Sequence, residues 1–309
     1  MLRMMKTAGL GVAIAVGSSG VMAETLAQPA SGGAALEEMA AHYVAYRKDV
    51  AAIEEKPIKS ADATRFAHKR LATHDPDKLA AGWVAYAALV AADTPEFAEA
   101  LQQELGAKKR RRRGKLQGRD AFFAKLSQDP TYPSKLSGAD AAIARVLSMT
   151  AQDARRFDTL GETFKTQAYA MQKTKWGKKR IAPGSKRLSE ARQFEAARAP
   201  AKAPDFEPST DKGVTAPVLA SVDEHWAHDW GADSASGRMS EPNARVVMNR
   251  VLNLAARYSV GGMNEKIVSV YSKNKKSQQC LSLSKLTLTQ CIAATRTPYE
   301  EAFCLGEHG

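Results

Sequence analysis

The apolar positions of this chain recur at helical rather than strand spacing through most of its length. Trp83, Tyr86, Leu89 and Val90 fall every three or four residues, which predicts a helix over 77–92 with those side chains in a core. Similar patterns predict helices over 35–54, 61–73 and 95–105. Asp75-Pro76 and Thr94-Pro95 supply starts, because proline at the first helical position has a pre-set φ and no N–H to leave unpaired. The longest periodic segment runs from Asp140 to about Trp176. Ile143, Thr150, Phe157, Phe164 and Met171 are spaced by seven, with Leu147, Ala154, Gly161 and Ala168 between them. This heptad pattern pairs large with small residues, so another helix can approach the seam closely. The expected partner is a helix of the same bundle. A homo-oligomer through the 143–171 helix is the alternative.

After that helix the pattern breaks. Pro183, Pro200, Pro204, Pro208 and Pro217, set among Ala, Lys and Ser, predict a semi-extended tether over 183–218. Ser240 and Pro242 then open a helix with Val247, Val251, Leu254 and Tyr258 on its apolar face, and Gly261-Gly262 ends it. Asn264 caps a short helix through Tyr271. Leu281, Leu283, Leu286 and Leu288, interspersed with Ser and Thr, fit a short hairpin or a helix capped by Ser284 and running to Ala294. Thr297-Pro298-Tyr299-Glu300 is a capping box, with Gly306 expected just past the end of its helix. The predicted fold class is mainly α. A helical bundle or hairpin over 35–182 contains the heptad-patterned helix, and the Pro-rich tether leads to a smaller disulfide-containing helical unit over 219–309.

The first 23 residues read differently. Arg3 and Lys6 precede an apolar stretch from Ala8 to Val16, followed by a small-residue segment ending Val21-Met22-Ala23. These are the three parts of a bacterial signal peptide, with cleavage expected after Ala23 and a flexible stretch over 24–34. The expected location is periplasmic or secreted. In such an oxidising compartment two of Cys280, Cys291 and Cys304 should be joined. None forms a C-x-x-C pair, so zinc-ribbon and thioredoxin-like readings fail. Cys291–Cys304 is the preferred pairing because it staples two adjacent short helices, leaving Cys280 free or available for a bond between copies.

Composition bounds the class and charge locates the interest. The chain has 309 residues, 44% hydrophobic and 25% charged, as in a globular protein rather than a disordered or collagen-like one. No apolar run reaches the roughly 18 residues of a spanning helix. The net charge of +12 is unevenly placed: residues 24–100 sum to −4, 101–202 to +15 and 203–309 to −1. Two blocks dominate, Lys108, Lys109, Arg110, Arg111, Arg112, Arg113 and Lys115, then Lys173, Lys175, Lys178, Lys179, Arg180, Lys186 and Arg187. Such blocks attract anionic polymers with salt-sensitive affinity. In an envelope the partners expected are an anionic polymer, an anionic membrane surface or an acidic protein, with nucleic acid only if the chain is not exported.

The octapeptide from Asp223 to Trp230 is chemically dense. On a helix His225, His228 and Asp229 would share one face and are candidate zinc ligands, although a structural zinc takes four ligands and HExxH is absent. Walker A, GxSxG and the partners of the SxxK motifs at Ser272 and Ser282 are missing, and no signature surrounds a cysteine nucleophile that could pair with His308 or His225. The expectation is an exported, non-enzymatic envelope protein without a cofactor, acting through its basic middle. The alternative is a small exported metal-binding protein or hydrolase centred on His225 and His228. Intact-mass measurement of the chain taken from its host envelope should show Glu24 as the first residue; a chain retaining Met1 would contradict the export reading.

Overall fold

The computed structural model describes residues 32–106, 118–198 and 241–309. They form helices α1 (Gly32–Glu54), α2 (Ala61–Leu71), α3 (Pro76–Ala92), α4 (Pro95–Gly106) and α5 (Arg119–Gln128). A short 3-10 turn (Tyr132–Lys135) leads to α6 (Ala139–Met171) and α7 (Gly184–Ala197). The remainder is α8 (Glu241–Val260), α9 (Glu265–Tyr271), α10 (Lys275–Ala294) and α11 (Pro298–His308). No strand occurs among the described residues, and none of their helices is long and apolar enough to cross a membrane. Local chemistry sets several starts. Asp75 Oδ1 accepts from the backbone N–H groups of Asp77 and Lys78, both at 3.0 Å, and Asn264 Oδ1 accepts from Ile267 at 2.9 Å.

The bundle is organised around α3. Every residue from Leu79 to Ala91 is buried, as expected of a helix that is apolar on all sides. Helices α1 and α8 pack along it, joined by α6 and α10. Trp83, Phe97, Phe122, Val146 and Val251 belong to this first core. A second core gathers Val50 and Ile53 from α1, Phe164 and Met171 from α6, Ile292 from α10 and Leu305 from α11. Helices α1 and α6 contribute to both. Residues of α8 thus contribute to the first core and residues of α10 and α11 to the second.

Buried polar clusters fix the long helices. Tyr43 donates to Asp153 Oδ2 at 2.7 Å, and Arg47 reaches Asp153 Oδ1 at 3.1 Å and the Tyr86 hydroxyl at 2.7 Å. This ties α1, α3 and α6 together. Burial pushes the Asp153 carboxyl above its ordinary value, despite the opposing pull of Arg47. Asp49 holds Arg70, His74 (2.8 Å) and Arg198 (2.6 Å), which joins α1 to α2 and to the end of α7. Burial works against the charged form there, but bonds with His74 and Arg198 outweigh it and keep the carboxyl below its ordinary range.

Several sequence expectations need correction. Gly184–Ala197 is a helix where prolines predict a tether, because α7 packs on α2 and α10; the rest of that segment, from 199 to 218, lies outside the described residues. The signal segment also lies outside them. The leucines around 281–288 sit within α10, capped by Asn274 rather than Ser284, so there is no hairpin there. The heptad helix ends at Met171, before Trp176, and its seam is occupied by α3 and α11 of the same chain.

The disulfide Cys291–Cys304 is formed and joins α10 to α11. Its sequence separation of 13 residues corresponds to about 3 kcal/mol of stabilisation in the chain-entropy account. Gly306 lies inside α11, not past it. A Cβ there would meet Gly161 O at 2.9 Å and Lys165 N at 3.0 Å, so its absence lets α11 press against α6. Gly306→Ala should therefore destabilise the protein by about 1–3 kcal/mol despite alanine's better helix propensity. Gly106→Ala, where the added carbon meets nothing within 4 Å, should be neutral or mildly stabilising. Equal effects in urea denaturation would contradict this packing.

Candidate functional site

Lys173 to Arg180 of the second basic block lie in the turn between α6 and α7, and Lys186 and Arg187 lie in the first turn of α7. Lys173, Lys175, Lys178, Lys179, Arg180 and Lys186 are exposed, and none pairs with an acid among the described residues. Some cations elsewhere differ: Arg65, Lys125, Arg145, Arg156 and Lys165 each pair with a carboxylate. The loop is nonetheless held in place. Thr174 Oγ1 accepts from Gly177 N at 2.9 Å and donates to Met171 O at 2.9 Å, closing the turn after α6. A Cβ on Gly177 would lie 2.0 Å from Met171 O, so only glycine fits there. Trp176 packs against the second core, and Ile181 N donates to Arg296 O at 2.9 Å.

Arg187 is the exception in this block. It is 1% exposed. Its Nε donates to Ala182 O at 2.9 Å, and its Nη1 to Glu301 Oε1 at 2.9 Å. Its Nη2 reaches Ile292 O (3.1 Å), Thr295 O (2.7 Å) and Thr295 Oγ1 (2.8 Å). The residue grouped with the surface cations by sequence is thus an interior anchor between the loop, α10 and α11. Glu301 is equally buried, with His68 Nδ1 3.2 Å from Oε1 and Thr64 Oγ1 3.3 Å from Oε2. Burial disfavours the Glu301 carboxylate, but His68 and Arg187 more than offset this and hold its pKa below the ordinary value of 4.5.

Of the residues singled out in the sequence, Lys175, Lys178, Lys179 and Arg180 come together on this loop. Lys108, Lys109, Arg110, Arg111, Arg112, Arg113 and Lys115 lie outside the described residues, as do His225, His228 and Asp229. No group of three or more His, Cys, Asp or Glu suited to a metal occurs among the described residues. Cys280 is exposed on α10, outside the disulfide. It lines a cleft of about 290 Å³ shared with His308. Nucleophilic catalysis needs a base oriented by a third group, and no described residue hydrogen-bonds the His308 imidazole. Sequence reasoning missed Arg296. It is exposed beside the loop because the Ile181–Arg296 backbone bond brings distant segments together, and no local pattern signals that pairing.

No protein-family model matches the chain, and no curated protein or solved structure matches it. Fold and site define a mainly helical, disulfide-containing protein that presents a structured cationic loop.

The anchor generates a pH prediction. A depressed carboxylate pKa contributes stability that is fully present above the ordinary glutamate value and is lost as the pH falls through the lowered folded value. Glu301→Gln should therefore flatten the acid limb of the stability–pH curve. Arg187→Met should cost about 3–5 kcal/mol, as removing one partner of a buried pair does. The exposed Lys186→Gln should stay within about 0.5 kcal/mol of wild type. Urea denaturation across the acid range checks all three. An unchanged acid limb in Glu301→Gln, or an Arg187→Met variant as stable as Lys186→Gln, would contradict the anchor.

Proposed function

We propose that this chain is an exported, non-enzymatic envelope protein that binds an anionic envelope component through its basic middle region. The observation that carries the reading is the loop from Lys173 to Arg180, where exposed cations stand without acidic partners on a backbone fixed at both ends. Like charges held close together repel one another, and an anionic ligand relieves that repulsion as it binds. Fixing the loop beforehand also reduces the conformational entropy that binding would otherwise cost. Arg296 adds to the same face. The block from Lys108 to Lys115 supplies further positive charge in the sequence.

Export fits this reading, since the disulfide is compatible with an oxidising compartment. Electrostatic binding of this kind carries a salt signature, because each contacting cation releases counterions from the polymer. The test is retention of the full chain on immobilised polyphosphate across a salt gradient. Wild type should be retained with a steep salt dependence. Replacing Lys175, Lys178, Lys179 and Arg180 with Gln should lower the salt slope by about one unit for each contacting cation. Retention and slope identical to wild type would overturn the role of this loop.

A further inference from the structure

Beside the cationic loop lies an apolar groove of about 460 Å³ between the ends of α6, α10 and α11. Ala168, Tyr169, Tyr299 and Phe303 line it, together with the Cys291–Cys304 disulfide. That volume lies within the roughly 300–1,000 Å³ span of small-molecule clefts. Two aromatic side chains stand exposed along it, Tyr169 at 60% and Phe303 at 39%, with ring centroids 6.3 Å apart in an edge-to-face arrangement. Large apolar side chains left in water next to one another mark a surface that gains by being covered.

Charge indicates what covers it. Gln172, at the groove's edge, is followed directly by Lys173, and Thr295, on its wall, is followed by Arg296; both cations are exposed. Tyr299 N donates to Gly177 O at 3.4 Å, which fixes the cationic loop against the groove's own wall. Among the described residues the one acid lining the groove is Glu300, whose Oε2 accepts from the backbone N–H groups of Arg296 (2.6 Å) and Thr297 (3.0 Å) at the start of α11. An apolar trough adjoining a cationic loop complements a molecule with an alkyl chain and an anionic head. Tyrosine at such a boundary suits the region between acyl chains and headgroups.

We propose that this face binds an anionic lipid of a bilayer, with an acyl chain against Tyr169 and Phe303 and the headgroup phosphate among Lys173, Arg296 and the neighbouring loop cations. The inference rests on the anion-binding reading above and makes its ligand specific. No bond is made or broken; affinity comes from burial of the chain and attraction to the phosphate, each cation near an anionic surface being worth about fivefold.

The test is co-flotation of the full chain with vesicles of phosphatidylcholine alone or mixed with phosphatidylglycerol, run alongside retention on polyphosphate. Wild type should float with the mixed vesicles and not with phosphatidylcholine alone. Tyr169→Ser and Phe303→Ser should each weaken vesicle binding about tenfold while leaving polyphosphate retention unchanged. Because Tyr169 is largely exposed, its replacement spares the fold and keeps the test decisive if Phe303→Ser is unstable. The Lys175/Lys178/Lys179/Arg180→Gln variant should weaken both activities. Vesicle binding that is unaffected by the groove substitutions, or equal on neutral and anionic vesicles, would overturn the lipid proposal. Polyphosphate retention by wild type without any flotation would overturn it too and leave the anion-binding reading standing. Failure of both assays would remove both.

Discussion

Five hydrogen bonds hold the guanidinium of Arg187 in an interior closed to water, and the position of the cationic loop follows from them. A buried cation without such partners would carry a prohibitive desolvation cost, so the site exists only because carbonyls, a hydroxyl and the Glu301 carboxylate converge on it. The Ala182 carbonyl belongs to the loop, while Ile292 and Thr295 belong to the end of α10. One side chain thereby sets where the loop ends, where α7 starts and how α11 meets α10. The disulfide acts on the same two helices from their other partners, Cys291 and Cys304. His68 and Thr64 extend the cluster to α2. The outcome is a loop whose surface is unneutralised and whose root is fixed.

The two properties are linked. A cationic loop without a root would sample many shapes, and its charges would separate to reduce repulsion. Here the backbone bonds at Gly177 and Ile181 prevent that separation, and the charge stays concentrated beside the groove formed by Tyr169, Tyr299 and Phe303. Arg198, at the end of α7, reaches Asp49 on α1, so the helix following the loop is also tied down at its far end.

Local signals in the sequence were enough for α1 to α4, where apolar spacing, Asp75, and the prolines at 76 and 95 define elements without help from distant residues. The heptad seam was readable for the same reason. Its small residues indicated close approach, although not that α11 would make it. The preferred cysteine pairing rested on a short loop between neighbouring helices, and α10 and α11 provide that geometry. Arg187 was not legible. Its partner Glu301 lies 114 positions away, and a basic residue among six others carries no local mark of burial. The same blindness turned α7 into a tether, since proline content describes chain stiffness and not the pocket waiting for one guanidinium. The face including Arg296 and the groove arises from contacts between segments more than a hundred positions apart, beyond the reach of any periodicity.

The central claim is that Arg187 holds the cationic loop in a single arrangement. Backbone hydrogen exchange of Ile181, whose N–H donates to Arg296 O, reports on it most directly. The account predicts a protected Ile181 amide in the wild type. In Arg187→Lys, which keeps the charge but cannot make the forked contacts, that protection should be lost while amides in the centre of α3 stay protected. An Ile181 amide that exchanges freely in the wild type, or stays equally protected in Arg187→Lys, would contradict it.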